Sequence, residues 1–334
     1  MNSRRSRDRH PHFLIVLLLS VACRDGELVD TAAEEARSVS TASTALNAAD
    51  PAPPAVTSTT IAGGGGLRLT VYEGGNATAP SIVFIHGFTG SYLSWEPQLS
   101  GPLATDFRLV AYDFRGHGAS EKPLEAAKYT DGTLWADDLN AVIQAKHLDR
   151  PVLVGWSYGG LVISDYLRRY GEGAIGGVVF LGAITKNGTA EAAGYLTDDV
   201  LALFGDVLSA DVQKSIDGTR ALTRMFANPL RGIPWERSYG SAMMVPPAVR
   251  AAMFDRVIDN DDVLAGIRMP TLVIHGAADR IVRVSSATHI AATVPGAKLL
   301  VYDGVGHAVQ LDAPQRLDRD LAEFVRAMRR SRQP

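Results

Sequence analysis

The sequence predicts an α/β fold: a mostly parallel, eight-stranded sheet flanked by helices, with a helical segment inserted after the sixth strand. Three observations carry this. From Ile61 onward, short apolar runs alternate with longer amphipathic stretches, the layout of a parallel sheet covered on both faces. The later runs are rich in Val, Leu and Ile with little alternation, as strands buried on both faces are. Between 186 and 268 the alternation stops, leaving helical patterns such as "LTDDVLALFGDVL" and "VPPAVRAAMFDRVI".

Taken in order, the strands are a first one near 57–62, then "LRLTVYE" (67–73), "SIVFIHG" (81–87), "FRLVAYD" (107–113), "PVLVG" (151–155), "IGGVVFLG" (175–182), "PTLVIHG" (270–276) and "AKLLVYD" (297–303). Helical stretches include 131–148, 157–170 and 313–330. The 186–268 segment reads as a cap over the carboxyl edge of the sheet, where open α/β sheets place their ligands. The folded domain is expected over 61–334.

The first 60 residues follow other rules. "MNSRRSRDRHPHFLIVLLLSVAC" has a basic start, an apolar run from Phe13, and small residues up to Ala22. That run is too short to span a bilayer and reads as a signal peptide over 1–22. Cleavage before Cys23, the one cysteine of the chain, suits an ordinary signal peptidase. The segment also resembles a bacterial lipobox, in which the cysteine takes lipid, although Ser20 stands where leucine is usual. Two addresses therefore stay open, both exported from a bacterial cytoplasm: a lipoprotein held at a membrane through Cys23, or a secreted or periplasmic protein. Residues 23–60 are rich in Ala, Thr, Ser and Pro and nearly free of aromatics, so they read as a disordered tether. Such a chain reaches roughly 35 Å.

Composition narrows the function classes. Hydrophobic residues are 46% and charged residues 21% of the 334, ordinary for a globular protein with a sizeable core. Net charge is −3, and loss of 1–22 would leave about −6. Mild acidity argues against a nucleic-acid partner, which would want a basic face. A lone cysteine excludes an intramolecular disulfide and a cysteine metal cluster.

The chemistry is concentrated at "GWSYGG" (155–160). A serine hydroxyl is a weak nucleophile until a base takes its proton and the backbone holds it exposed. Glycines around Ser157, between a buried strand and a helix, give the tight turn that does this, the G-x-S-x-G elbow. The partners follow in the order acid, then histidine. Asp279 lies just beyond the strand at 270–276 and His307 just beyond the one at 297–303, on the same rim as Ser157. Asp279 would fix the tautomer of His307, and His307 would move the Ser157 proton. Asp303 competes for the acid role, but its place four residues before His307 suits a turn cap. The backbone N–H groups of Phe88 and Tyr158 are the expected oxyanion donors.

His86-Gly87-Phe88, "DFRGHGAS" (113–120), "GWSYGG", "HGAAD" (275–279) and "GVGH" (304–307) occur in family order. With them the chain resembles the α/β-hydrolase fold enzymes over about Ile61 to Arg330. Serine at the elbow implies esterases, lactonases, carbon–carbon bond hydrolases or cofactor-free perhydrolases; dehalogenases and epoxide hydrolases carry aspartate there. The expected activity is cleavage of a small or medium carboxylic ester or lactone through an acyl-enzyme, with no metal and no organic cofactor. Perhydrolysis, and a ligand receptor with slow turnover, stay open as alternatives.

Other residues carry plainer expectations. His86 should shape the oxyanion loop, Asp113, Arg115 and His117 should brace a turn, and His275 should end a strand. Trp95 and Trp135 read as packing residues, and Trp156 as a pocket wall beside the nucleophile. Phe226, Trp235, Tyr239, Met243 and Met244 form an apolar group in the cap. They either pack the cap or line an acyl or alcohol site.

Overall fold

The computed structural model describes residues 55–227 and 231–330. The expected signal peptide, Cys23 and most of the expected tether lie outside them. Ten strands form in chain order: β1 (Thr57–Ala62), β2 (Arg68–Gly75), β3 (Ser81–Ile85), β4 (Arg108–Tyr112), β5 (Val152–Trp156), β6 (Gly177–Leu181), β7 (Lys186–Asn187), β8 (Ile258–Asp259), β9 (Thr271–Gly276) and β10 (Lys298–Tyr302). Eight of them make one sheet in the order β1-β2-β4-β3-β5-β6-β9-β10. β1–β2 and β2–β4 are antiparallel and the other pairs are parallel.

Position in the sheet explains each strand's composition. β3, β5, β6 and β9 are buried at every residue, which is why they read as unbroken apolar runs. β10 differs: it closes one edge and is half exposed, with Val301 facing solvent. β1 is the other edge, exposed along nearly its whole length, and its Thr-rich sequence fits that place. The sheet therefore begins at Thr57, inside the stretch that composition assigns to the tether.

The insertion after β6 is helical, as expected, but is bracketed by two short strands. β7 and β8 pair antiparallel, so the chain leaves and re-enters the sheet domain at one point. Between them run helices Asp198–Val207, Val212–Arg224, Gly232–Met243 and Pro247–Phe254. Their centre is polar. Buried Arg250 donates to the carbonyls of Val245 (2.9 Å), Val207 (3.1 Å) and Ala242 (2.9 Å), and to Ser215 Oγ (3.0 Å) and Thr219 Oγ1 (2.7 Å). These acceptors are neutral, and burial pulls the guanidinium down to about 10. One side chain thus ties these four helices together; the short helix Ala190–Gly194, also between β7 and β8, is not among its contacts.

Candidate active site

Parallel strands end on one edge, so the loops after β3, β5, β9 and β10 gather there. β5 runs into Ser157, whose φ of 55° puts a non-glycine residue in the left-handed region. That conformation is costly and must be held by its surroundings. Ser157 N–H donates to Leu181 O (3.0 Å), and its carbonyl accepts from Gly160 and Ile184. The turn also needs bare backbone: a Cβ on Gly155 would come within 2.7 Å of Gly159 O, and one on Gly159 within 2.6 Å of Ile85 O. Helix Gly159–Tyr170 begins immediately after.

The loop after β9 brings Asp279 to His307, on the loop after β10. His307 Nδ1 lies 2.7 Å from Asp279 Oδ2. Asp279 Oδ1 accepts from the amides of Ile281 (2.8 Å) and Val282 (2.9 Å). Burial alone would raise the Asp279 carboxyl. The His307 charge and the hydrogen bonds from His275 and His307 outweigh it and hold the group well below the usual carboxylate range. Asp303 is exposed and has no part in this pairing.

His275 does more than end a strand. Its Nε2 sits 3.2 Å from Asp279 Oδ2 and 2.9 Å from Val282 O. Both neighbours are acceptors, so Nε2 carries the hydrogen, and the buried Nδ1 has no partner among the described residues. The Asp279 carboxylate is thus gripped by two imidazoles and two amides. The four-residue spacing in "HGAAD" is the sequence signal for this grip.

Trp156 and Phe226 box the His307 ring, at centroid distances of 5.3 and 6.2 Å. Trp156 Nε1 donates to His307 O (3.0 Å), and Ala308 N–H donates to Phe226 O. The cap is therefore stitched directly to the histidine loop. On the opposite side, His86 supports the loop carrying Phe88. Its Nε2 accepts from Phe114 N–H (3.0 Å), so the hydrogen is on Nδ1, which donates to Gly87 O (2.8 Å). Among the described residues, neither the Phe88 nor the Tyr158 amide meets an acceptor. Asp113 accepts from Tyr92 N–H, Ala119 N–H and Tyr72 OH, and Arg115 grips Asp138 through two nitrogens, so both brace their turn.

One cavity collects these groups. Ser157, His307, Phe88, Trp156 and Tyr158 line it from the sheet, and Leu196, Val200, Phe204, Leu222, Phe226 and Phe254 from the cap. Phe226 is where the sequence places it. Trp235, Tyr239 and Met243 are not brought to the lining. Trp235 and Tyr239 stack on each other at 5.4 Å, with Arg224 3.7 Å over the Trp235 ring. Among the described residues Ser157 Oγ makes no hydrogen bond to His307, a contact that often tightens only with substrate present. Glu191, Asp261 and His289 lie close enough to hold a metal. Lys186 Nζ already occupies that charge pocket, 2.8 Å from Glu191 and 2.7 Å from Asp261. Among the described residues no helix is long and apolar enough to cross a membrane.

Known proteins are similar to this chain in sequence and fold. The solved structure of the esterase RhEst1 from Rhodococcus sp. ECU1013 superposes with a TM-score of 0.77 at 32% identity, covering 81% of this chain and 99% of that one. The AB hydrolase superfamily protein YisY of Bacillus subtilis (strain 168) is 26% identical over 259 residues, 73% of this chain and 90% of that protein. The non-heme chloroperoxidase CPO-A1 of Kitasatospora aureofaciens is 29% identical over 259 residues, 73% of this chain and 91% of that protein. Residues 80–314 match the family described as alpha/beta hydrolase fold. The chain belongs to that family, and its membership points to a hydrolase- or esterase-type enzyme.

Proposed function

We propose that the protein is a serine hydrolase that cleaves a small or medium carboxylic ester or lactone through an acyl-enzyme. The observation that carries this reading is Ser157, held at a φ of 55° at a strand–helix turn, in one cavity with a histidine whose far nitrogen is 2.7 Å from a buried aspartate. In this reading His307 takes the Ser157 proton as Oγ attacks the ester carbon. Asp279 steadies the imidazolium, and the free Phe88 and Tyr158 amides receive the oxyanion. The proton then passes from His307 to the leaving alcohol, and water repeats the sequence to release the acid. A serine-directed fluorophosphonate should label the protein once, and Ser157→Ala should abolish labelling and turnover together. Labelling that persists in Ser157→Ala overturns the assignment.

Perhydrolysis is a second reading, favoured by the likeness to a chloroperoxidase. It uses the same acyl-enzyme with peroxide in place of water, and peracid formation at fixed peroxide separates the two. We also propose that 1–22 is a signal peptide, that the chain from Cys23 up to the start of β1 at Thr57 tethers the domain, and that Cys23 takes lipid. In a lipoprotein-processing bacterium the wild type should partition into detergent and Cys23→Ser should not. Equal partitioning of the two would favour simple secretion.

A further inference from the structure

The cavity beside Ser157 is too small for the ligand its chemistry calls for. Its volume is about 30 Å³, room for a water or two rather than for an ester carrying a chain. Directly behind its cap-side wall lies a second cavity of about 280 Å³. Four residues, Ile184, Leu196, Phe204 and Phe254, line both, so the two spaces share one wall. Joined, they reach roughly 300 Å³, the lower end of the range for small-molecule sites.

The partition sits in a pinned frame. Thr197 N–H and Oγ1 donate to the carbonyls of Ile281 and Arg280, and Arg283 N–H donates to Tyr195 O, so the backbone around Leu196 is tied to the loop after β9. Asn187 Nδ2 donates to Phe254 O and Arg256 O, which ties the end of helix Pro247–Phe254 to β7. The Phe204 side chain is only partly buried, on a helix whose Leu201, Ala202, Gly205 and Asp206 are exposed. Its ring rests 4.7 Å from that of Phe254.

The outer space also has a definite chemistry. Its cation, Lys186, is neutralised by Glu191, Asp259 and Asp261. The Asn187 amide nitrogen is spent on the two carbonyls just named. What remains for a ligand is largely apolar: Ala192, Ala193, Leu201, and the Phe204 and Phe254 rings.

We propose that the two cavities form one binding site divided by a gate of Phe204 against Phe254, with Ile184 and Leu196. The outer chamber takes an uncharged apolar chain of the substrate whose ester carbon lies at Ser157. This rests on the serine-hydrolase reading and adds the substrate class and the residues that set its length.

The test uses the full chain, with an acyl arm (p-nitrophenyl acetate against octanoate) and an alkyl arm (ethyl against octyl acetate). Ala193→Trp fills the outer chamber; Phe204→Ala and the milder Phe204→Leu widen the gate. In at least one arm, Ala193→Trp should lower the long-to-short ratio of kcat/KM about tenfold, and the Phe204 variants should raise it several-fold. The arm that responds identifies which side of the ester enters. Thermal melts confirm that each variant is folded. Ratios within about twofold of wild type in both arms, with acetate still turned over, overturn the gate while sparing the hydrolase reading. A folded wild type that turns over no ester in either arm ends both.

Discussion

The two walls of the candidate site are built on opposite principles. The sheet rim is polar and over-determined: Asp279 accepts two amides and faces two imidazoles, and His86 spans two loops with a fixed tautomer. The cap wall of Leu196, Val200, Phe204, Leu222, Phe226 and Phe254 offers the cavity no hydrogen-bonding side chain. The cap has its own buried polar cluster, but Arg250 turns it inward, away from the lining. Rigidity at the rim suits groups that must meet a reacting atom within fractions of an ångström. A wall held by dispersion and exclusion of water can be resized with little loss to the fold. Reaction type would then reside in the rim, and substrate length in the cap.

Asp279→Asn is the sharpest way to test the rim. Asparagine keeps Oδ1 for the amides of Ile281 and Val282 but presents an NH₂ to His307 and His275. His307 must then accept at Nδ1, which places its hydrogen on Nε2, the nitrogen that should receive the Ser157 proton. A fall in kcat of roughly 10² to 10⁴ is expected, by the logic of the serine-protease triad. Asp303→Asn, at an exposed position, should stay within about tenfold of wild type. Steady-state assays on one activated ester decide it, and the reverse pattern would move the acid to Asp303.

Acid provides a second contrast, because the cap segment 186–268 contains no histidine whereas the rim buries His86, His117, His275 and His307. Burial pushes His117 down to about 4, and burial with the His117 charge holds His86 well below its ordinary value. Between about 6.5 and 4 the unfolded chain binds protons that the folded one refuses. The share of stability that these two rings contribute is therefore full above 6.5 and drains as pH falls through this window. His117 alone accounts for on the order of 3 kcal/mol. Burial raises Asp165 and Asp318 to about 6, and as pH falls these groups add stability over the same window, so the comparison between two proteins is the readout. Between pH 7.5 and 4.5 the wild type should lose roughly 5 °C more of melting temperature than His117→Phe. Equal losses in the two would contradict the buried, neutral state of His117.

The same contrast explains what could be read in the sequence. Ser157, Asp279 and His307 were legible because each follows an apolar run, and parallel strands deliver such positions to one edge. The grip of His275 on Asp279 has a sequence signal only in the four-residue spacing of "HGAAD", because a histidine at a strand end does not otherwise show its partner. One edge misleads as well: β10 is as apolar as a central strand but lies half exposed, whereas β1 is legible as a strand near 57–62 even though it overlaps the expected tether. In the cap, helical periodicity shows that an apolar face exists but not what it faces. Val200, Phe204, Leu222 and Phe254 line the cavity without a sequence signal that sets them apart, whereas Trp235, Tyr239 and Met243, expected either to pack the cap or to line the site, lie away from it.

The smallest effect discriminates within the cap itself. Phe226 and Trp235 are both aromatic cap residues, yet only Phe226 touches the cavity, edge-on to Trp156 at 5.4 Å. Phe226→Ala opens space beside His307 and should change the long-to-short acyl ratio of kcat/KM by about tenfold. Trp235→Ala removes a stacked ring and an Arg224 contact that lie away from the lining. It should cost about 1 kcal/mol of stability and leave the ratio within about twofold. The ratio, rather than kcat alone, is the useful readout, because a loosened cap lowers turnover on every substrate alike. If Trp235→Ala moved the ratio as far as Phe226→Ala, the substrate path would run past Gly232–Met243. The division between an inner lining and an outer packing layer would then have to be redrawn.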